Sequence, residues 1–272
     1  MNGPELNDLP DDSEQLCPYV SSLRRRALRA RELCAASTLS DAFLLKFLRA
    51  RDFDVELALK LLLNYQLWRR ESPEISGCLS PSSVLGLLNT SYHAVLPLRD
   101  HTGSRVLIYR IGQWNSKDWS AFQVFRVSLM TSEIICMETE TQRRGVKVIF
   151  DLQGWMLGHA LQINPSLARR ISSVLSDSFP LKIHMHGADF QNSLCKFFLP
   201  TILPPEYGGE GLGIEAACQD WTNQLLQSET LLQLVQSESQ RGRNNIQLAS
   251  HYLSLTFEFT RFIAVALSYI AH

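Results

Sequence analysis

Val146-Lys147-Val148-Ile149-Phe150-Asp151 is a near-continuous apolar run of strand length. A strand with one wet face alternates apolar and polar residues. This run does not, so it belongs in a sheet covered on both faces. Such a strand needs paired neighbours and two layers of cover, and the flanking segments supply candidates for both. Val106-Leu107-Ile108-Tyr109 follows the turn Asp100-His101-Thr102-Gly103 and predicts a second strand, and Leu181 to Met185 predicts a third. Trp119 to Thr139 and Pro165 to Ser176 read as the helices between them. Strand, helix, strand, helix, strand predicts an α/β fold. The 272 residues, 45% of them hydrophobic, are enough to bury a sizeable core, and no repeat shows at solenoid periods.

The flanks divide the rest of the chain. Residues 1–20 read as a polar leader; Glu5, Asp8, Asp11, Asp12 and Glu14 are unlike a signal peptide. Residues 21–78 read as a small helical bundle. Its parts are the arginine-rich Ser21 to Cys34, the stretch Phe43 to Arg51 capped by Ser40-Asp41, and Val55 to Arg69. The Pro73 region and Cys78 to Pro81 close it. Residues 79–223 hold the α/β unit, which ends in the turn-rich Leu203-Pro204-Pro205-Glu206-Tyr207-Gly208-Gly209 and a helix through Trp221 to Val235. Residues 224–272 form a helical and apolar tail. Ile246 to Ala271 is largely apolar but interrupted by Glu258 and Arg261, and Phe262 to Ala271 is too short to span a bilayer, which takes about 20 residues. The tail is expected to dock on the body, to lie on a membrane surface or to be poorly ordered.

Charge and reactive side chains exclude several functions. The net charge of −1 gives no reason to expect nucleic acid as a partner. The distribution is uneven: Arg24 to Arg70 carries eleven Lys/Arg against five Asp/Glu, and Ala188 to Gln240 carries one against seven. A basic front and an acidic rear follow. Six cysteines without CxxC or zinc-finger spacing predict free thiols in a reducing, cytosolic compartment. His184 and His186 lack a third metal ligand at a telling spacing. Gly209-Glu210-Gly211-Leu212-Gly213 lacks the Lys-Ser/Thr ending of a phosphate loop, so a flexible loop is expected there. Asp151 and His159 have no nucleophile elbow to serve. No enzyme, catalytic residue, metal or cofactor is predicted. Phe125, Leu129, Ser132, Ile163, Ile171, Val174, Leu175, Phe179 and Leu181 fall on helices and strand ends, and periodicity alone reads them as core packing.

Several long segments, in order, change that reading. Phe43 to Arg51 followed by Asp52-Phe53-Asp54, Val106 to Ile111, Val148-Ile149-Phe150-Asp151-Leu152-Gln153-Gly154-Trp155, Asp177-Ser178-Phe179-Pro180-Leu181-Lys182 and Leu203 to Gly209 together resemble the CRAL-TRIO lipid-binding family. The resemblance runs from about Leu39 to about Asn223. It implies an N-terminal helical domain followed by a lipid cage, a mixed sheet covered by helices with a mobile amphipathic lid. It implies a hydrophobic cargo, alpha-tocopherol (vitamin E) ahead of retinaldehyde or a phosphoinositide, carried between membranes without chemistry on it. Burying such a lipid takes a dry pocket with one or two convergent hydrogen-bond partners. By resemblance these are Ser132 and the carbonyls of Val174 and Leu181, with Phe125, Leu129, Ile163, Ile171, Leu175 and Phe179 as the wall. Arg51, Lys60 and Lys182 match positions that bind phosphatidylinositol bisphosphate headgroups. A cytoplasmic protein, peripheral at endosomal or plasma membranes, is implied.

One departure stands out. The family follows its Asp-Ser-Phe-Pro-Leu-Lys word with a strand, a turn and an aromatic-rich helix, whereas here Lys182 joins Ile183-His184-Met185-His186-Gly187 directly. A piece of about thirty residues, on the order of one strand, one turn and one helix, is missing, and with it the lid. Leu181 to Met185 is expected to take the vacant place in the sheet, leaving a pocket without its gate. Two functions follow: a lipid-transfer protein, or a lid-less form that docks on membranes or partners without retaining cargo.

Overall fold

The computed structural model describes residues 3–30, 39–71, 79–163, 179–187 and 197–241, together with 167, 171, 174 and 194. The helices α1 (Gly3–Asn7), α2 (Cys17–Arg29), α3 (Asp41–Ala50) and α4 (Val55–Glu71) form the N-terminal part. Ser40 stands extended before α3, and its Oγ accepts the Phe43 N–H at 3.3 Å. Asp54 begins α4 in the same way, accepting the N–H groups of Glu56 and Leu57 at 2.9 and 3.0 Å. Each cap satisfies donors that the first helical turn leaves open. Between the two helices the chain reverses through Asp52 and Phe53, both at positive φ. Leu23, Ala27, Leu44, Leu48, Ala58 and Leu62 are fully buried where α2, α3 and α4 meet. Within residues 3–16, Leu6 and Leu16 are also buried, and Asp11 pairs with Arg49.

The sheet has four strands in sequence order: β1 (His93–Val95), β2 (Arg105–Arg110), β3 (Val146–Asp151) and β4 (Ile183–Gly187). β1 runs antiparallel to β2, and β2, β3 and β4 are parallel, which makes the sheet mixed. Three-residue β1 had no signal of its own in the sequence. The α/β expectation and the limits of β3 hold. β4 begins two residues later than expected, and the backbone shows why. The Lys182 carbonyl accepts the Val146 N–H at 2.8 Å, so the ladder opens on the pair Val146–Ile183. Gly145, at φ +76°, permits this approach, because a Cβ there would lie 2.6 Å from the Lys182 oxygen. The strand following the Lys182-Ile183 junction therefore pairs directly with β3.

Helices cover both faces, as the apolar run of β3 requires. Val106, Ile108 and Ile149 pack with Phe198, Leu203, Tyr207 and Ile214, beneath α9 (Ile214–Gln227). Leu107, Tyr109, Val146 and Val148 face the opposite layer, which contains α6 (Ala121–Ile135) and α4. Before α6 comes the single turn α5 (Leu85–Leu88). The long helix expected over 119–139 stops at Ile135 and restarts as α7 (Thr139–Arg144). A capping box fixes the start of α6: Gln123 N–H bonds Ser120 Oγ, and Ser120 N–H bonds Gln123 Oε1 at 2.9 Å. α8 (Leu157–Gln162) follows β3, and the last expected helix is two, α9 and α10 (Glu229–Arg241), parted at Ser228.

The glycine-rich turn is anchored, contrary to the flexible loop expected. Gly209, Glu210 and Gly211 donate backbone hydrogen bonds to Pro204, Pro200 and Leu203. Gly209 fits so closely that a Cβ would sit 2.0 Å from the Leu203 carbonyl oxygen. The Pro73–Cys78 region, Leu175 and the apolar tail 246–271 lie outside the described residues.

Candidate functional site

The face of the sheet that carries Leu107, Tyr109, Val146 and Val148 is where the described wall residues gather with Val174 and Leu181, the two predicted carbonyl partners. Phe125 and Leu129 descend from α6, and Ile171 and Val174 lie in helical conformation with Leu167, at a spacing that sets all three on one side. Phe179 and Leu181 approach just before β4. All six are buried in one apolar cluster, and Ile163 packs against it half-exposed. Leu175 lies outside the described residues.

Two of the three predicted polar partners, Ser132 and the Val174 carbonyl, already take part in hydrogen bonds. Ser132 Oγ donates to the Ser128 carbonyl at 2.9 Å, which leaves its oxygen free only to accept. The Val174 carbonyl accepts the Phe179 N–H at 3.1 Å, while Leu181 donates its N–H to the Phe179 carbonyl.

Residues outside the predicted set complete the cluster. Phe179 is fully buried, and its ring meets Tyr65 edge-on at 5.7 Å and Trp68 at 5.6 Å, both from α4. The N-terminal part thus supplies one wall. Trp68 Nε1 is buried without a hydrogen-bond partner among the described residues. Beneath these rings, Tyr65 donates to Glu133 at 3.0 Å and accepts from Arg69 at 2.8 Å. Arg69 also bonds Glu133 directly and reaches the Val235 carbonyl at 3.0 Å. Burial pushes the Tyr65 hydroxyl well above its ordinary pKa. Burial acts to lower Arg69, but the charges of Tyr65 and Glu133 outweigh it and raise the group, which stays cationic. Tyr65 and Trp68 belong to an α4 stripe that fits any helical core, so no local signal separates them from ordinary packing.

A second buried network ties the sheet to both layers. Trp221 donates to Thr131 Oγ1 at 3.0 Å, and that hydroxyl meets His93 Nε2 at 2.8 Å, with the His93 ring stacked on Tyr109. Burial lowers His93 from 6.5 to about 3, so the imidazole is neutral. An unfolded chain takes up this proton near pH 6.5, the folded one only near 3. The contribution to stability is therefore whole above pH 6.5 and is lost as pH falls toward 3. His93→Gln is expected to flatten the fall in unfolding free energy between pH 6 and 4 by up to about 1.4 kcal/mol per pH unit. Urea unfolding at stepped pH reads this; parallel wild-type and variant slopes would refute it.

The other singled-out groups are occupied structurally. Asp151 is buried, accepting the Tyr207 hydroxyl and the Gln153 N–H, each at 2.8 Å. Burial and then the Asp151 charge push Tyr207 upward. His159 Nδ1 accepts the Met156 N–H at 3.0 Å, so its Nε2 carries the proton that it donates to the Trp114 carbonyl at 2.8 Å. These two side chains form no proton relay. Cys17, Cys136 and Cys218 are free, and burial pushes the last two thiols to about 11. Among the described residues no group of His, Cys, Asp or Glu is arranged to hold a metal.

Tertiary pairing alters the basic front. Arg24 pairs with Asp41, Arg26 with Glu56, and Arg69 with Glu133. Arg49 is fully buried, bonded to Gln142 at 2.9 Å and to Asp11 at 2.5 Å. Lys182 reaches Asp52 at 2.5 Å, which puts it beside Arg51, whose Nη1 bonds the Ala50 carbonyl at 3.0 Å. Lys60 stands exposed farther along α4.

A helical N-terminal part, a mixed sheet covered by helices on both faces and a buried apolar cluster on one of those faces make up the described architecture. Comparison gives the family. The CRAL/TRIO domain profile matches residues 89–185 and the CRAL/TRIO N-terminal domain profile residues 13–64, together more than half of the chain. The chain belongs to the CRAL/TRIO family.

It is 33% identical over 225 residues to the mouse (Mus musculus) protein called "Alpha-tocopherol transfer protein-like", covering 71% of this chain and 65% of that protein. The human (Homo sapiens) protein of that name is 32% identical over the same lengths. Clavesin-1 of Xenopus laevis is 26% identical over 238 residues, 75% of this chain and 70% of that protein. The chain thus spans just under two thirds of the tocopherol transfer protein-like relatives. The mouse alignment runs 225 positions but uses 71% of 272 residues, about 193, so about thirty of its positions face none in this chain. That is the size of the piece missed at Lys182-Ile183, three residues before the domain match ends. Among the described residues no helix is long and apolar enough to cross a membrane.

Proposed function

We propose that the chain binds a hydrophobic lipid, alpha-tocopherol first, in the cluster lined by Phe125, Leu129, Ile163, Ile171, Val174, Phe179 and Leu181, and passes it between membranes. The observation that carries this reading is a buried, unpartnered donor, Trp68 Nε1, on a ring packed against Phe179 in that cluster. A buried N–H without an acceptor costs about 1–3 kcal/mol, and the oxygen of an otherwise apolar cargo relieves it. Ser132 keeps an accepting oxygen for the cargo's own hydroxyl. Arg51, Lys60 and Lys182 are the candidates for contacts with phosphatidylinositol bisphosphate at cytoplasmic faces of endosomal or plasma membranes. Displacing Asp52 from Lys182 is part of that step. No reaction on the cargo is involved.

The gap of about thirty positions favours a second reading, a form that docks on membranes or partners without retaining lipid. Titration with a fluorescent tocopherol analogue separates the two. Saturable binding is expected, about tenfold weaker than in a variant with the relatives' segment inserted between Lys182 and Ile183, and with faster release. Equal affinity in both forms would refute the role given to the gap, and no saturable binding would leave only the second reading.

A further inference from the structure

We propose that the outer face of α2 is an anionic-membrane docking surface, separate from Arg51, Lys60 and Lys182. α2 turns Val20, Leu23 and Ala27 into the core. Its opposite face carries Ser21, Arg24, Arg25, Leu28 and Arg29, which line an open hollow of about 450 Å³. Arg24 is held by Asp41 and the Leu39 carbonyl. Arg25 and Arg29 are exposed and have no ion pair or hydrogen bond among the described residues. Leu28, 37% exposed, stands between them.

Charge complementarity selects the occupant. Two unpaired guanidiniums present forks suited to phosphate oxygens, and an exposed leucine between them suits the boundary between headgroups and acyl chains. Nucleic acid fits less well. Among the described residues the surface offers two unpaired cations, few for a duplex backbone, and the neighbouring hollow lined by Asp11, Asp12 and Asp41 confines any contact to the headgroups beside Arg25 and Arg29. Pairing explains why the free cations stand here: the charges at Arg26, Arg49 and Lys182 are already matched by Glu56, Asp11 and Asp52.

This inference concerns docking alone and stands whether or not the cargo is tocopherol. The test is co-sedimentation of the full chain with phosphatidylcholine vesicles, with and without phosphatidylserine. Binding only to the anionic vesicles is expected, weakened by added salt. Each arginine near an anionic leaflet is worth about fivefold, so R25E/R29E is expected to lose at least about 25-fold in partitioning, while R25K/R29K keeps most of it. Both positions are exposed, and R25E/R29E is expected to melt and to bind the tocopherol analogue as the wild type does. Undiminished vesicle binding by R25E/R29E would overturn the proposal, as would loss of docking in K60E instead. Retention of a DNA duplex without vesicle binding would overturn it too. Loss of tocopherol-analogue binding in the wild type, with vesicle binding intact, would count against the cargo reading alone.

Discussion

Glu133→Gln is expected to lower the unfolding free energy by about 3–5 kcal/mol, the cost of leaving a buried charge without its partner. Arg69 and Glu133 are 1% and 3% exposed, so water cannot replace the lost carboxylate. With Glu133 replaced, Arg69 cannot shed its charge at any accessible pH. Gln Oε1 can still accept from the Tyr65 hydroxyl, so what the variant removes is the charge that balances Arg69. Domains of this size hold only about 5–15 kcal/mol in total, so the variant should be poorly folded at physiological temperature. R69M/E133L is expected to recover most of the loss, because it removes both desolvation costs together. Urea unfolding midpoints check both, and a loss below about 1 kcal/mol in Glu133→Gln would show that the pair is wet in solution.

Phe179→Ala is expected to cost about 3–5 kcal/mol by leaving a cavity among Tyr65, Trp68 and the sheet. The ring is fully buried and touches two aromatic side chains of α4, so the void cannot fill by a simple side-chain rotation. Because those contacts join the N-terminal helices to the segment before β4, the loss should appear as one cooperative shift. If Phe179 also contacts cargo, Phe179→Leu should retain most of the stability yet weaken tocopherol-analogue binding. A Phe179→Ala loss below about 1 kcal/mol would show that the segment is loosely packed.

Much of the architecture was legible because it rests on local patterns. The apolar run 146–151 gave β3 its full length, Ser40 marked the start of α3, and Val106 to Tyr109 sat inside β2. Where the reading missed, a longer-range cause is visible. Leu181 and Lys182 adjoin the strand with no break in the sequence, but the hydrogen bond from Val146 to Lys182 and the tight passage at Gly145 start the ladder at Ile183. The glycines at 209 and 211 suggested looseness. They are there because the Leu203 carbonyl lies where their Cβ atoms would be. The candidate wall was named residue by residue through family resemblance, whereas periodicity could only call it core. Tyr65 and Trp68 read only as part of the apolar face of the helix expected over Val55 to Arg69, since nothing in their spacing ties them to Phe179.

The sequence by itself determined that this chain builds a doubly covered sheet behind a small helical bundle, because burial patterns repeat over a few residues and need no distant partner. Tertiary structure alone decided which charges remain available. Lys182 meets Asp52 across 130 residues and Arg69 meets Glu133 across 64. Pairing at that separation leaves no local trace, since it depends only on which surfaces the fold brings within a few ångströms. A count of eleven cations against five anions therefore described a basic front, while the fold left Arg25 and Arg29 as the unpaired arginines on α2.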